Sequence, residues 1–118
     1  MNDKTILDVE LLQGYLDNLG VTVVEKMQSL YQQQSVVYLA EIEQCIGHAD
    51  SKAWQESCHK MKGAAGSIGL HLVRSHLAAI EKQLLTSEER SSLFSQLTTL
   101  NEQGLAAFKE WLTLSVSH

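Results

Sequence analysis

His59 and Lys62 stand three residues apart, and glycines follow at positions 63 and 66. A neutral imidazole is a competent nucleophile near neutral pH. An ammonium one turn away can offset the negative charge of a phosphoryl group once it is attached. The spacing therefore suits a histidine that accepts and stores a phosphoryl group, with Lys62 stabilising it.

At about 100° per residue, a helix through this stretch puts Trp54, Cys58, Met61 and Ala65 roughly 200–260° round from His59. These four form an apolar face, so His59 points outward. Lys62 falls about 60° to one side of His59, Gly63 about 40° to the other, and Gly66 almost in line two turns on. Each glycine inside a helix costs about 1 kcal/mol relative to alanine. Two on the face of His59 suggest a surface cleared for another protein to dock. The alternative is that they let a neighbouring helix pack close. A second group that accepts the proton of the other ring nitrogen would fix the tautomer. If the chain turns near Gly69, Glu81 is the first candidate for that role and Gln83 the second.

Those residues need elements to hold them. The 118 residues contain no proline and are 44% hydrophobic, which points to helices with short connections and one core. Five helical segments are expected. The first runs over 8–19, with Asp8 as N-cap, a stripe of Leu11, Leu12, Tyr15, Leu16 and Leu19, and Gly20 as the stop. The second runs over 21–48, with Val24, Met27, Leu30, Tyr31, Val37, Tyr38, Ile42, Cys45 and Ile46 inward. The third starts after Asp50 or Ser51 and runs to Ile68. The fourth covers 71–85, with Val73, Leu77, Ile80 and Leu84 inward. The fifth opens at Thr86 or Ser87; Ser87 with Arg90 makes no capping box, but Glu88 and Glu89 suit the positive end of the helix dipole. Its stripe is Leu93, Leu97, Leu100, Phe108, Trp111 and Leu112. The expected fold is all-α: an antiparallel four-helix bundle with a short extra N-terminal helix as a lid, in a single domain over 1–118.

Composition excludes several functions. A net charge of -5 with no basic face argues against nucleic acid. The apolar runs are too short to span a membrane, and the start lacks a signal-peptide pattern. Cys45 and Cys58 read as reduced thiols. Cys45, His48, Cys58 and His59 match no familiar zinc spacing. The segment from Gly63 to Gly69 lacks the strand and the Gly-Lys-Ser/Thr ending of a nucleotide loop. A hydrolase using His59 as base would need a nucleophile that the chain does not offer.

The pattern His59-x-x-Lys62-Gly63-Ala64-Ala65-x-x-Ile68-Gly69 resembles the signature of histidine-containing phosphotransfer (HPt) domains. With the start from Leu7 to Leu16, it is similar to the C-terminal HPt modules of Arc- and Tor-type hybrid sensor kinases. The resemblance implies a phosphorelay carrier, not an enzyme, with no ATP site. The phosphoryl group would sit on Nε2 of His59 and exchange with aspartates of response-regulator receiver domains. Lys62 would neutralise it, and Glu81 stands where related modules often carry an amide. Gly63 and Gly66 would clear space for the receiver. Gln55, Leu70 and Leu12, with Leu11 and Tyr15, are expected to contact it. No cofactor is expected in this chain, since the receiver would bring Mg²⁺. The module is expected to be a cytoplasmic monomer without direct membrane contact, as the tail of an inner-membrane sensor kinase or on its own. The rival reading is a helical adaptor that carries no phosphoryl group.

Overall fold

Three of the described helices begin where a side chain satisfies one of their first amides. A computed structural model describes residues 6–117, and all regular structure among them is helical. Helix α1 (Val9–Leu19) is capped by Asp8, whose carboxylate accepts from the Leu11 amide at 3.1 Å. Gly20 ends it with φ of 86°, a value glycine adopts without strain, and links it directly to α2 (Val21–Gln44). Asp50 caps α3 (Ser51–Ser67) by accepting from the Lys52 amide at 2.9 Å. A short turn through Gly69 leads to α4 (His71–Ile80).

Thr86 opens α5 (Ser87–Val116) with a full capping box. The Glu89 amide donates to Thr86 Oγ1 at 3.1 Å, and the Thr86 amide donates to Glu89 Oε1 at 2.9 Å. The expectation that weighed Ser87 against Arg90 missed this pair by one residue.

Helices α2, α3, α4 and α5 pack each against the next and close a ring, with α1 laid on α2. This is the expected antiparallel bundle with its added N-terminal helix. Trp54, Met61, Ile42, Leu77, Leu97 and Phe108 are all buried within one core cluster. Burying each such large side chain contributes roughly 1.5–3 kcal/mol.

The structure corrects the expected helix ends. Helix α2 stops at Gln44 rather than His48. Arg90, reaching across from α5, takes the carbonyls that follow: its Nη1 donates to Cys45, Ile46 and His48 at 3.1, 3.4 and 2.8 Å. Helix α4 stops at Ile80 rather than Leu85. The indole of Trp54 donates to the Ile80 carbonyl at 3.2 Å, so that carbonyl has its partner without a further helical turn. Leu84, expected inward, is exposed as a result.

The stripe on α2 also shifts. Leu30 and Val37 are exposed, while Ser35 is buried beside Tyr31. Tyr31 Oη donates to Asn101 Oδ1 at 2.7 Å, and Asn101 Nδ2 donates to Ser35 Oγ at 3.3 Å. A polar cluster thus occupies the centre of the α2–α5 contact, and burial pushes the Tyr31 hydroxyl above its ordinary titration range, with Tyr38 adding to it.

Helix α1 acts as the lid. Gly69 has φ of 73°, and a Cβ there would stand 2.9 Å from Leu12 Cγ. The Asp8 amide donates to the Gly69 carbonyl at 2.8 Å, and Tyr15 Oη donates to the Ser67 carbonyl at 2.9 Å. The glycine therefore serves two needs, a left-handed turn and the close approach of α1.

Candidate functional site

His59 lies in the middle of α3, on the side away from Trp54, Cys58, Met61 and Ala65, which are all fully buried. Its side chain is 73% exposed. The cavity beside it is lined by Gln55, Glu56, Lys60, Lys62, Glu81 and Lys82.

Glu81, the residue that closes α4, reaches back to α3 with its side chain only 7% exposed. One carboxylate oxygen, Oε2, lies 3.2 Å from His59 Nδ1. The other, Oε1, accepts from Lys62 Nζ. Burial on its own would raise the affinity of this carboxyl for a proton. The hydrogen bond and charge of Lys62, followed by those of His59, outweigh it and hold Glu81 below the usual carboxylate range. An ionised carboxylate only accepts, so the contact places the ring proton on Nδ1. Nε2 is left with its lone pair, and no hydrogen bond engages it among the described residues.

Glu81 is thus the partner of His59, as its position after the turn suggested. Gln83 is not: it is exposed, and its amide donates to the Ala79 carbonyl at 2.9 Å. Lys62 was expected beside the ring as the cation that stabilises a phosphoryl group. It is paired with Glu81, and both are oriented by the same contact. The sequence shows both residues but not that the end of α4 brings them together.

The two glycines part company. A Cβ at Gly63 would meet nothing within 4 Å, so the surface beside His59 is open there. At Gly66 it would lie 3.0 Å from Arg74 Cδ. Arg74, on the first turn of α4, lies over Gly66, because the tight turn at Gly69 brings that turn of α4 alongside the end of α3. Gly66 is therefore covered by the exposed side chain of Arg74, whereas Gly63 is open.

Leu12 and Leu70, expected to contact a receiver, are fully buried under α1 and in the core. Leu11 is half-buried, and Tyr15 is tethered to the turn. Gln55 remains at the site, half-buried on the cavity wall. Lys60 is exposed, pairs with Glu41 at 3.4 Å and stands 5.7 Å from the centre of the Tyr38 ring.

Cys58, next to His59, faces the core. Burial first, then the negative charges of Glu81 and Cys45 against Arg90, push its thiol up to about 12. A neutral buried thiol is neither nucleophile nor metal ligand. No three His, Cys, Asp or Glu side chains converge as a metal site among the described residues.

Comparisons with known proteins fit this geometry. The profile of the Hpt domain matches residues 26–112. The chain is 30% identical over 81 residues to the aerobic respiration control sensor protein ArcB of Escherichia coli K12, which covers 69% of this chain. It is 25% identical over 87 residues to the sensor protein TorS of the same organism, covering 74% of this chain. The matched region is 10% of the length of each relative, so this chain corresponds to one small part of such sensors. The solved histidine-containing phosphotransfer domain of ArcB from Escherichia coli superposes with a TM-score of 0.84, covering 96% of this chain and 98% of that one at 22% identity. With the family profile spanning most of the helical bundle, the chain belongs to the Hpt domain family, the phosphotransfer carriers of two-component signalling.

Proposed function

We propose that Nε2 of His59 accepts a phosphoryl group from the aspartyl phosphate of one receiver domain and passes it to the aspartate of a response regulator. One observation carries the assignment: the buried carboxylate of Glu81 lies 3.2 Å from Nδ1 of His59, whose ring is otherwise exposed to solvent. In-line phosphoryl transfer is largely positioning and charge neutralisation. The open backbone at Gly63 and the wall at Gln55 give an incoming receiver room to bring its aspartate and Mg²⁺ to Nε2. Lys62 lies on the same side and contributes positive charge at the moment of transfer.

Residues 1–118 are read as one such module, which performs no ATP hydrolysis. The kinship with ArcB and TorS supports a place in a phosphorelay, as a segment of a sensor kinase or beside one. We place it in the cytoplasm as a monomer; no helix among the described residues is long and apolar enough to cross a membrane.

The test is direct. A receiver domain is charged with acetyl phosphate and Mg²⁺ and incubated with this chain, and acid-labile label is measured. Label is expected on the wild type and none on His59→Gln. Equal label on both would overturn the assignment, and no label on the folded wild type would favour a helical adaptor.

A further inference from the structure

Arg74 on α4 and Glu81 at its end stand two turns apart, as Gly66 and His59 do on α3. The two helices run antiparallel, so the four positions form two rungs: Glu81 reaches His59, and Arg74 lies over Gly66. A Cβ at Gly66 would stand 3.0 Å from Arg74 Cδ and 3.3 Å from Nε, so the missing side chain is what lets the stem of Arg74 lie flat on α3. Arg74 is nevertheless exposed, and it takes part in none of the ion pairs among the described residues. A long cation held against a glycine and left without an anion is placed to meet one from outside.

Its surroundings share its sign. Residues 51–82 hold Lys52, Lys60, Lys62, Arg74 and Lys82 against Glu56 and Glu81, a net charge of +3. The rest of the chain holds four Lys or Arg against twelve Asp or Glu, a net of -8. The total of -5 thus conceals a basic hairpin, which the expectation of no basic face missed, and His59 lies on it. Lys60 and Lys62 are paired with Glu41 and Glu81, and Lys52 with Glu56 at 3.9 Å. Lys82, exposed on the rim of the cavity beside His59, marks one end of the face, and Arg74 over Gly66 the other.

We infer that Arg74 is a docking residue: its guanidinium takes a carboxylate on the rim of the incoming receiver domain, while the basic hairpin steers that acidic face onto His59. The inference rests on the reading of His59 as phosphoacceptor. A receiver that offers an aspartate and holds Mg²⁺ groups carboxylates around its own site, since that ion takes oxygen ligands. Such a face carries the sign opposite to this hairpin. A planar guanidinium grips a carboxylate through two parallel hydrogen bonds, which fixes orientation as well as adding attraction. Gly66 is seven residues from His59, about 10 Å along the helix. Arg74 therefore meets the partner and not the phosphoryl group. It sets how readily and at what angle the receiver lands, not the rate of the step that follows.

The experiment measures transfer from a charged receiver to this chain against receiver concentration, for wild type, Arg74→Met and Arg74→Lys. Arg74→Met keeps an apolar stem on Gly66 and removes the charge. It should melt as the wild type does and reach the same rate at saturating receiver, but need about tenfold more receiver for half that rate at low salt. The gap should narrow toward about 1 M salt, where screening acts beyond about 3 Å. Arg74→Lys restores the charge without the fork and should fall between the two. A folded Arg74→Met with the wild-type half-saturating concentration would overturn the inference and leave the phosphoacceptor assignment standing. So would a lower rate at saturation with that concentration unchanged, which would place Arg74 in the transfer step. The wild type gives a second reading that needs no variant: its half-saturating concentration should rise with salt, and a flat response overturns the inference. Self-association of the wild type that Arg74→Met abolishes would give the face to a second copy of this chain, and overturn it too. Failure of the wild type to take label overturns the reading of His59 itself.

Discussion

Gly63 and Gly66 stand one turn apart on the same helix and do different work. Nothing inside the molecule explains the lack of a side chain at Gly63. Gly63→Ala should therefore stabilise the chain by about 1 kcal/mol in urea denaturation, the ordinary gain for a helix interior. Gly63→Leu should leave the helical content and melting intact while blocking label from a charged receiver; unchanged transfer would mean that the receiver does not use this surface. At Gly66 any new Cβ must first move Arg74. The difference was not legible in the sequence. The period of α3 places both glycines on the face of His59, but only the angle at which α4 leaves the Gly69 turn decides which one is covered. His59 and Lys62 were legible because their sides of the helix follow from the buried Trp54, Cys58, Met61 and Ala65. Leu12 and Leu70 misled, since an apolar residue near the site can as well be holding α1 down as meeting a partner.

The interiors of the helices followed from the sequence better than their ends, because the ends are set by residues far along the chain. Arg90 claims the carbonyls that finish α2, and it also stands 5.5 Å from the centre of the Trp54 ring. Trp54 in turn claims the carbonyl that finishes α4. An arginine or tryptophan in a helical pattern does not announce which carbonyl it will meet. The consequence reaches the site, because Glu81 sits at the end that Trp54 sets. Trp54→Phe would leave the Ile80 carbonyl with only the longer bond from the Gln83 amide, at 3.4 Å, a loss of about 1 kcal/mol in urea denaturation. It should also slow labelling of His59, since the end of α4 is then free to wind on and carry Glu81 from the ring. A variant that loses stability but labels at the wild-type rate would uncouple the two.

The four helices of the ring differ widely in length. At 1.5 Å per residue, α2 and α5 span about 36 and 45 Å, against about 26 and 15 Å for α3 and α4. The molecule measures 51 × 26 × 17 Å, and α1 fills the space above the short α3–α4 hairpin. The two thiols report on the lower part of this core. Cys58 is fully buried and Cys45 nearly so. Alkylation by iodoacetamide at pH 8 should therefore track global unfolding in urea, and fast reaction of the native chain would show a looser core. The folded state raises the Cys58 thiol to about 12. Its contribution to stability is present below the ordinary thiol value of about 8.5 and is lost as pH rises toward that raised value. Midway along the bundle, Tyr31 and Ser35 of α2 both bond to Asn101 of α5. Sliding α5 by one turn, about 5.4 Å, would part Asn101 from Tyr31 and Ser35; Ser35 would keep only its bond to the Gln32 carbonyl. The trio thus works as a detent on a shaft: it indexes α5, α5 seats α4 through the His76 contact with the Leu93 carbonyl, and α4 presents Glu81 at the height of His59.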